Sequence, residues 1–563
     1  MIRSGGRLAL GLLALAITLL ARPKLARADE PLDSYVELAR EMHLAERMEW
    51  LRLLHVHPGA LTAKGDIQPS EFFLANNGRE DPEAELVATL HAFFVPVVPK
   101  SQDAHALCLF PARFEWLKAE LGLAIPMPAC PERAAFLKRI DAHAVSVVFT
   151  ANFLADPASM FGHTFMRFGK RSDEPPSSPD DVTLEFTADV DTHNPFVYVV
   201  KGVAGLFHGK FHYQTFGEKM TEYSSSQDRE MWDYDLDLTP EEVRLVTFHL
   251  WELRHAKVDY YYFTGNCAFR LLEIIEAAVP RVDLIEHVKT LVFPADAVTA
   301  LSAEPGLVKG IRYVPSERTK LKQRYEGLPI PADKAPHLAH GPIRFDFGMG
   351  GDSQFGETYA TLGIRLALHD MIDPPNGEPE LATVQFLDTR IRFSATHPSL
   401  TLDEITFAEI MSLNPIGRYE KLASFRLRGF AERVHDTGCT TRDCFAHGGD
   451  AAVGITFATR NEHYAVFAMA DATILFSPDF DGIGGSFVRV AVGPFGGIRA
   501  RITPWLLGLA TINVSYLPGQ HLVSTFDARG GVRATLAKDV ALGVEGRANP
   551  LGVDARLEGY VYF

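Results

Sequence analysis

Hydrophobic positions recur at two different periods along this chain, and the change of period divides it. From Pro31 to about Arg133 the spacing is helical: Tyr35, Leu38, Ala39 and Met42 share one face, and Met48, Leu51 and Leu54 continue the pattern. Glu83–Phe94 and Arg113–Leu123 are predicted as further short helices. Nothing in this stretch has chemistry-bearing spacing apart from two cysteines, so its helices are expected to pack a core.

From about Ala134 to Tyr313 strands and helices mix. Val145–Thr150 is an apolar strand, followed by a loop containing Asp156-Pro157, a strand across His163–Phe168 and another at Thr183–Val190. Gly202–Gly209 is read as a glycine-punctuated loop. Pro240 opens a helix to about His255, with Thr239 as N-cap and Glu241 and Glu242 in its first turn. Tyr260–Phe263 leads into Asn266-Cys267 and an amphipathic helix that runs to about Ala278, stopped by Pro280. Residues 314–342 carry Pro315, Pro329, Pro331, Pro336 and Pro342 and are read as a linker.

Beyond Ile343 the period becomes two. About twelve strand-length segments follow, separated by Gly, Pro, Asn and Asp. In the last, Val553, Ala555, Leu557, Gly559, Val561 and Phe563 fall on one face, and Asp554, Arg556, Glu558, Tyr560 and Tyr562 on the other. Ser424–Arg433 and Phe487–Val492 alternate similarly. An even strand number and a terminal aromatic fit an outer-membrane barrel. A soluble antiparallel sandwich gives the same alternation with its apolar face turned inward; the terminal Phe563 and an export signal at the N-terminus tip the reading to the outer-membrane barrel.

Composition narrows the setting. At 563 residues the chain is too long for one ordinary core, and 47% hydrophobic against 22% charged residues is the balance of folded protein rather than disorder. A net charge of −16 gives no electrostatic case for nucleic acid. Met1–Arg7 is short and basic, Leu8–Ala21 is almost wholly apolar, and Ala26-Arg27-Ala28 offers a cleavage site, so residues 1–28 read as an export signal. No cysteine lies near that site, so the chain is not read as a lipoprotein, and an oxidising compartment is expected. Of the five cysteines, proximity pairs Cys108 with Cys130 and Cys439 with Cys444, leaving Cys267 without an obvious partner.

Cys267 stands where a thiol is easily activated. The first turn of a helix presents the positive end of the helix dipole, which favours thiolate. Free N–H groups there can donate to a developing oxyanion. Upstream, Ser159-Met160-Phe161-Gly162-His163-Thr164-Phe165-Met166-Arg167-Phe168 places a histidine at a strand start after a glycine that permits close backbone approach. His163 is the candidate base, with Ser159 and Asn266 as candidates for oxyanion or supporting contacts. A metal site is not expected, because His249 and His255 do not share a helix face and no CxxC or HExxH occurs. A serine hydrolase is disfavoured by the lack of GxSxG. No cofactor is called for.

The SxFGHTFxRF stretch (Ser159–Phe168) and the YYFxxNC stretch (Tyr261–Cys267) resemble the periplasmic domain of Lnb-type proteins, lipoprotein N-acyltransferases. Cys108–Arg113 (CLFPAR) resembles that family's helical N-terminal portion, so the likeness covers roughly Pro31–Tyr313. The His-before-Cys order is also similar to circularly permuted papain-like (NlpC-like) folds, among them thiol acyltransferases that use phospholipid. The resemblance implies a polar residue on the strand after the histidine that orients the imidazole. Glu185 is on that strand, with Asp189 as competitor.

The expectation is therefore an α+β multidomain envelope protein: signal peptide 1–28, helical domain 29–133, papain-like catalytic domain 134–313, linker 314–342, and a C-terminal antiparallel β-barrel of about twelve strands at 343–563. The resemblance implies a thiol acyltransferase that moves an acyl chain from phospholipid through a Cys267 thioester to an amine, for instance a lipoprotein N-terminus. Two rivals stand beside it: a cell-wall amidase or peptidase using the same dyad, and a barrel protein whose periplasmic domain only binds a partner.

Overall fold

The computed structural model describes residues 32–57, 64–99, 101–151, 160–170, 178–192, 194–254, 256–288, 291–327, 334–396, 398–417, 422–434, 436–439 and 444–563. The export segment and Ser159 lie outside them.

The helical start contains α1 (Leu32–Glu41), α2 (Met48–Leu53), α3 (Pro82–Phe93), α4 (Ala106–Leu109), α5 (Pro111–Leu121) and α6 (Pro131–Ile140), with a small ladder of β1 (Val56–His57) and β2 (Lys64–Gly65). Local chemistry sets the ends. Asp81 caps α3 by accepting from the Ala84 amide, with Pro82 at the first helical position, and Gly122 closes α5 in the left-handed region. Trp50, Phe93, Phe114 and Leu117 fill the core between these helices. The Cys108–Cys130 disulfide ties α4 to the start of α6. That last helix runs straight through the residue 133/134 boundary expected from the sequence.

Next comes an antiparallel sheet of seven strands in the order β8-β6-β5-β4-β3-β7-β9. In chain order they are β3 (Ala144–Thr150), β4 (His163–Gly169), β5 (Val182–Ala188), β6 (Phe207–Thr215), β7 (Met231–Leu236), β8 (Val258–Tyr260) and β9 (Val308–Val314). Helices α7 (Pro195–Val203), α8 (Phe216–Met220), α9 (Pro240–Leu253), α10 (Cys267–Ala278) and α11 (Pro294–Ala303) are interleaved with them. Val147, Phe149, Met166, Phe168, Leu184 and Phe186 of the central strands share one core with Leu271, Leu272 and Ile275 of α10. Helix α10 is thereby pinned across the sheet, with its first residue brought to the start of β4.

A buried polar chain fastens the helical start to this layer. The Glu273 carboxylate lies 3.4 Å from His55, whose ring bonds His249 at 2.9 Å. His249 in turn lies 3.5 Å from Glu252, which accepts from the Ala112 and Arg113 amides at 2.6 and 3.1 Å. Arg113 closes the chain on Glu85 at 2.7 Å. Buried charges survive only when paired in this way. The arrangement makes the helical start part of the support under α10.

Two elements differ from the sequence reading. The loop read at Gly202–Gly209 is shorter than expected: α7 runs through Val203 and β6 begins at Phe207, leaving a turn at residues 204–206 with Gly205 in the left-handed region. Gly202 and Gly209 are there for close approach, since a Cβ on Gly202 would meet the Tyr262 ring at 2.3 Å and one on Gly209 the Phe186 ring at 2.0 Å. The linker also contains α12 (Glu317–Glu326), capped by Ser316 and ended by Gly327 in the left-handed region. Capping and Lys320–Glu317 pairing outweigh the proline content around it.

Residues 344–562 form a closed antiparallel barrel of twelve long strands, the first (Arg344–Asp352) pairing with both the second (Glu357–Arg365) and the last (Gly552–Tyr562). The second and third (Ala382–Ser394) also pair, with a three-residue strand, Ala367–His369, beside the third. Burial decides between the two readings of the alternation. Val553 and Leu557 are 55% and 50% exposed on the outside, whereas Asp554, Glu558, Tyr560 and Tyr562 are buried inside. The same inversion recurs around the wall, with Phe347, Met349, Val453, Phe457, Ile498 and Val544 outward. The lumen is lined with paired charges, among them Arg344–Asp388 (2.9 Å), Arg392–Asp403 (3.1 Å) and Arg529–Glu432 (2.8 Å), which leave a polar cavity of about 360 Å³. A soluble sandwich turns its apolar face inward; this barrel turns it outward, and it is a membrane barrel. No helix among the described residues is long and apolar enough to cross a membrane, so crossing belongs to the strands.

Candidate active site

Two short segments converge on one spot. Gly162 (φ +83°) turns the chain into β4; a Cβ there would meet the Phe149 ring at 2.8 Å and the Thr150 carbonyl oxygen at 2.9 Å, so only glycine fits. His163 follows as the first residue of β4. Opposite it, Asn266 caps α10 by accepting from the Ala268 and Phe269 amides at 3.0 and 3.3 Å. Its amide nitrogen donates to the Tyr262 and Val292 carbonyls at 2.9 and 2.6 Å. Both ends of the Asn266 side chain are thus engaged with backbone, and it anchors the helix start. Cys267, the first residue of α10, is a free thiol, buried at 2% exposure.

The thiol faces His163 and the Thr164 amide closely enough for both to favour its charged form. On its other side the imidazole Nε2 donates to Glu185 Oε2 at 3.1 Å, which leaves Nδ1 for the thiol. The same carboxylate oxygen accepts from Lys219 Nζ at 2.8 Å, and Lys219 also reaches Glu222 at 3.1 Å. Lys219 is 2% exposed, a buried cation held by carboxylates. A four-membered relay results: Cys267, His163, Glu185, Lys219. Asp189 is elsewhere, paired with Lys210 on the surface.

Electrostatics follow the geometry. Burial alone pushes the Cys267 thiol up, but the His163 imidazolium and the Thr164 amide outweigh it and bring it down to about 7. Burial alone pushes the His163 imidazolium down, yet the thiolate and the Glu185 carboxylate raise it to about 9. Burial raises the Glu185 carboxyl, while His163 and Lys219 together hold it at about 2. Between about pH 7 and pH 9 the favoured state is therefore thiolate facing imidazolium.

Three residues that the motifs did not single out complete the site. Lys219 comes from α8, far from either motif in sequence. Tyr223 stacks on Phe165 and lies 6.3 Å, ring to ring, from His163. Tyr260 meets both the Cys267 thiol and its backbone amide, and burial keeps its hydroxyl protonated by holding its pKa well above the ordinary value. Of these, only Tyr260 sits beside a motif, in the Tyr260-Tyr261-Tyr262 run.

Both site-bearing segments also touch the barrel. Phe161, two residues before His163, packs against Phe263 and Phe293, and against Phe386 of the third barrel strand at 5.5 Å between ring centres. Ala367, Leu368 and Val384 of the barrel complete this apolar joint. Lys322 adds an ion pair to Glu462. The contacts all fall at the barrel end that carries Ile343 and Phe563, which bond one another.

A separate cluster lies further along α10. His57, Asp66 and Glu273 place ligand atoms within 4.8 Å of one another. Arg270 Nη1 lies between the two acids, 2.9 Å from Asp66 and 2.6 Å from Glu273, so the cluster is an ion-pair knot that holds α10 to β2.

Comparison with known proteins bears on this geometry. Residues 132–304 match the Lnb N-terminal periplasmic domain. The Lnb-matching segment contains His163, Glu185, Lys219 and Cys267 together. Two flanking matches are to domains of unknown function, DUF7843 at residues 42–120 and DUF7840 at residues 333–556. No curated protein matches the chain's sequence. Among solved structures the barrel is similar to the KdgM porin (8% identity, 39% of this chain and 99% of that one, TM-score 0.24). It is also similar to the NanC porin (8%, 39% and 99%, 0.26) and to the outer membrane protein Omp33 of Acinetobacter baumannii (10%, 40% and 99%, 0.22). With the Lnb-like domain on one rim of an inside-out barrel, the protein belongs to the cell envelope, its barrel in the outer membrane and its sheet domain on the periplasmic side.

Proposed function

We propose that this protein is a cysteine-dependent acyltransferase of the envelope, moving an acyl chain from phospholipid through a Cys267 thioester to an amine. The observation that carries the reading is the relay Cys267–His163–Glu185–Lys219, with the thiol at a helix start and brought down to about 7. The match to the Lnb N-terminal periplasmic domain supports it, as does the likeness of the His-before-Cys order to permuted papain-like thiol acyltransferases.

In the first half-reaction the Cys267 thiolate attacks the ester carbonyl carbon. The carbon–oxygen ester bond breaks, and the departing alkoxide takes the proton from His163. In this reading the Tyr260 hydroxyl and the Cys267 amide would donate to the intermediate oxyanion. In the second half the amine attacks the thioester carbonyl and gives its proton to neutral His163, and the thiolate leaves. The starting ion pair is restored. Glu185 holds the imidazole in orientation throughout, in the manner of the acid in a catalytic triad.

A lipoprotein N-terminus suits the acceptor role, because the joint at Phe161 and Phe386 sets the site against the barrel rim, where lipid donor and lipid-anchored acceptor both reside. Burial of Cys267, only 2% exposed, favours transfer over hydrolysis. The test is to reconstitute the full chain in phospholipid vesicles with a peptide bearing an N-terminal diacylglyceryl cysteine. The expected product is the N-acyl peptide, formed by the wild-type chain and not by Cys267→Ala. Release of free fatty acid alone, or cleavage of peptidoglycan fragments, would replace this reading with a hydrolase.

A further inference from the structure

Helix α7 leaves an apolar face open to its surroundings. Val197, Val200 and Val203, at helical spacing, are 38%, 48% and 51% exposed, and Leu206 just beyond is 61% exposed. Isolated exposed apolar side chains are ordinary, but here four fall on ten consecutive residues, next to exposed Tyr261 and Val190. The one lysine of the helix, Lys201, is drawn aside to Asp191 at 2.6 Å. No other described element covers this face.

Position says what covers it. Tyr262 donates its amide to the Gly202 carbonyl at 3.0 Å, and its ring lies 5.3 Å from that of Tyr198, so α7 is bound to the segment that leads into Cys267. The next residue of that segment, Phe263, joins Phe161, and Phe161 touches Phe386 on the barrel wall. Helix α7 is thus a few side chains from a wall whose outer surface faces lipid. We infer that the exposed face of α7 lies in the periplasmic leaflet of the bilayer around the barrel, so that Val197, Val200, Val203 and Leu206 seat the catalytic domain on phospholipid. Under the acyltransferase reading, on which this part rests, the helix marks the edge where a lipid ester crosses from the leaflet to Cys267.

The experiment measures depth first, independently of chemistry. The full chain carrying Cys267→Ser and Val200→Cys, spin-labelled and reconstituted in phosphatidylethanolamine/phosphatidylglycerol nanodiscs, is compared with labels at Leu557→Cys on the barrel wall and Glu37→Cys on the helical start. The inference expects position 200 to admit oxygen and exclude a water-soluble nickel chelate, as position 557 does. Nickel access equal to that at position 37 overturns it. So does a label that neither reagent reaches, which would mark a protein partner or a second copy on this face. A second arm uses Val200→Glu/Val203→Glu in otherwise wild-type chain. Acylation of Cys267 by phospholipid in vesicles should fall at least tenfold, and acylation by a soluble short-chain ester should not change. Equal loss with both esters overturns the role in lipid entry. If the wild-type chain reacts with neither ester, the acyltransferase reading fails, and the depth measurement still decides the docking.

Discussion

At the scale of single residues, the relay explains why a thiol buried at 2% exposure would still be ionised. His163 and Cys267 move in opposite directions from their ordinary values because each stabilises the charged form of the other. The rate of thiol acylation should accordingly rise through about pH 7, as the thiol gives up its proton, and fall through about pH 9, as the imidazolium loses its own. A stopped-flow pH profile with a soluble ester reads both limbs, as values belonging to the pair. Lys219→Met should lower the rate about tenfold, the equivalent of ~1.4 kcal/mol of transition-state stabilisation. It should also move both limbs to higher pH, because removing a cation favours the imidazolium and disfavours the thiolate. A merely structural role would reduce amplitude with the limbs unmoved. His163 and Cys267 were legible in the sequence because each sits in a motif whose local geometry, a strand start after glycine and a helix start after asparagine, is dictated nearby. Lys219 was not legible: its role depends on α8 folding back over β5, which no local pattern encodes.

Single elements carry the precision of the site. Helix α10 begins where it does because Asn266 satisfies two orphan amides and two neighbouring carbonyls at once. Asn266→Ala should therefore cost about 1 kcal/mol for the cap, and about 1–3 kcal/mol more for each buried carbonyl left without a donor. The melting temperature should fall, and the Cys267 reaction should slow even at temperatures where the fold persists. Asn266→Asp tests the same point, since it keeps the cap and loses the donors. The element level also shows where sequence reading stops. Period two and period 3.6 located α1, α9, α10, β3 and the barrel strands. Glycine misled at residues 202 and 209, where it serves the close approach of the Tyr262 and Phe186 rings inside α7 and β6, and only Gly205 between them makes a turn. Strands β7 and β9 carry little period-two contrast, because Asp233 and Asp235 of β7 pair with Arg312 of β9 and, across β3, with Arg167 of β4.

At the scale of the whole molecule, the architecture is an Lnb-like sheet domain standing on the rim of a membrane barrel, joined through Phe161, Phe263, Phe293 and Phe386. Alternation in the sequence announced the strands, but the direction of their apolar face is a tertiary property, fixed only once the wall closes between the second and third strands. An outward charge should reveal it. Leu557→Arg is expected to destabilise the folded barrel by about 2–4 kcal/mol if it lies near the bilayer midplane, measured by denaturant unfolding in vesicles. The same substitution should leave acylation of Cys267 by a soluble ester unaltered. The lumen of the barrel is lined by paired charges, Arg344–Asp388 and Arg529–Glu432 among them, around a cavity of about 360 Å³.

The central claim is that Cys267 carries the acyl group, and intact-mass spectrometry of the full chain tests it most directly. The chain is held with phospholipid and no acceptor at pH 8, between the two limbs. The account predicts a mass increase of one acyl chain, mapped to Cys267, abolished by Cys267→Ser, strongly reduced in His163→Ala, and discharged on adding an amine. An unchanged mass for the wild-type protein, or an acyl group that persists in Cys267→Ser, would contradict it.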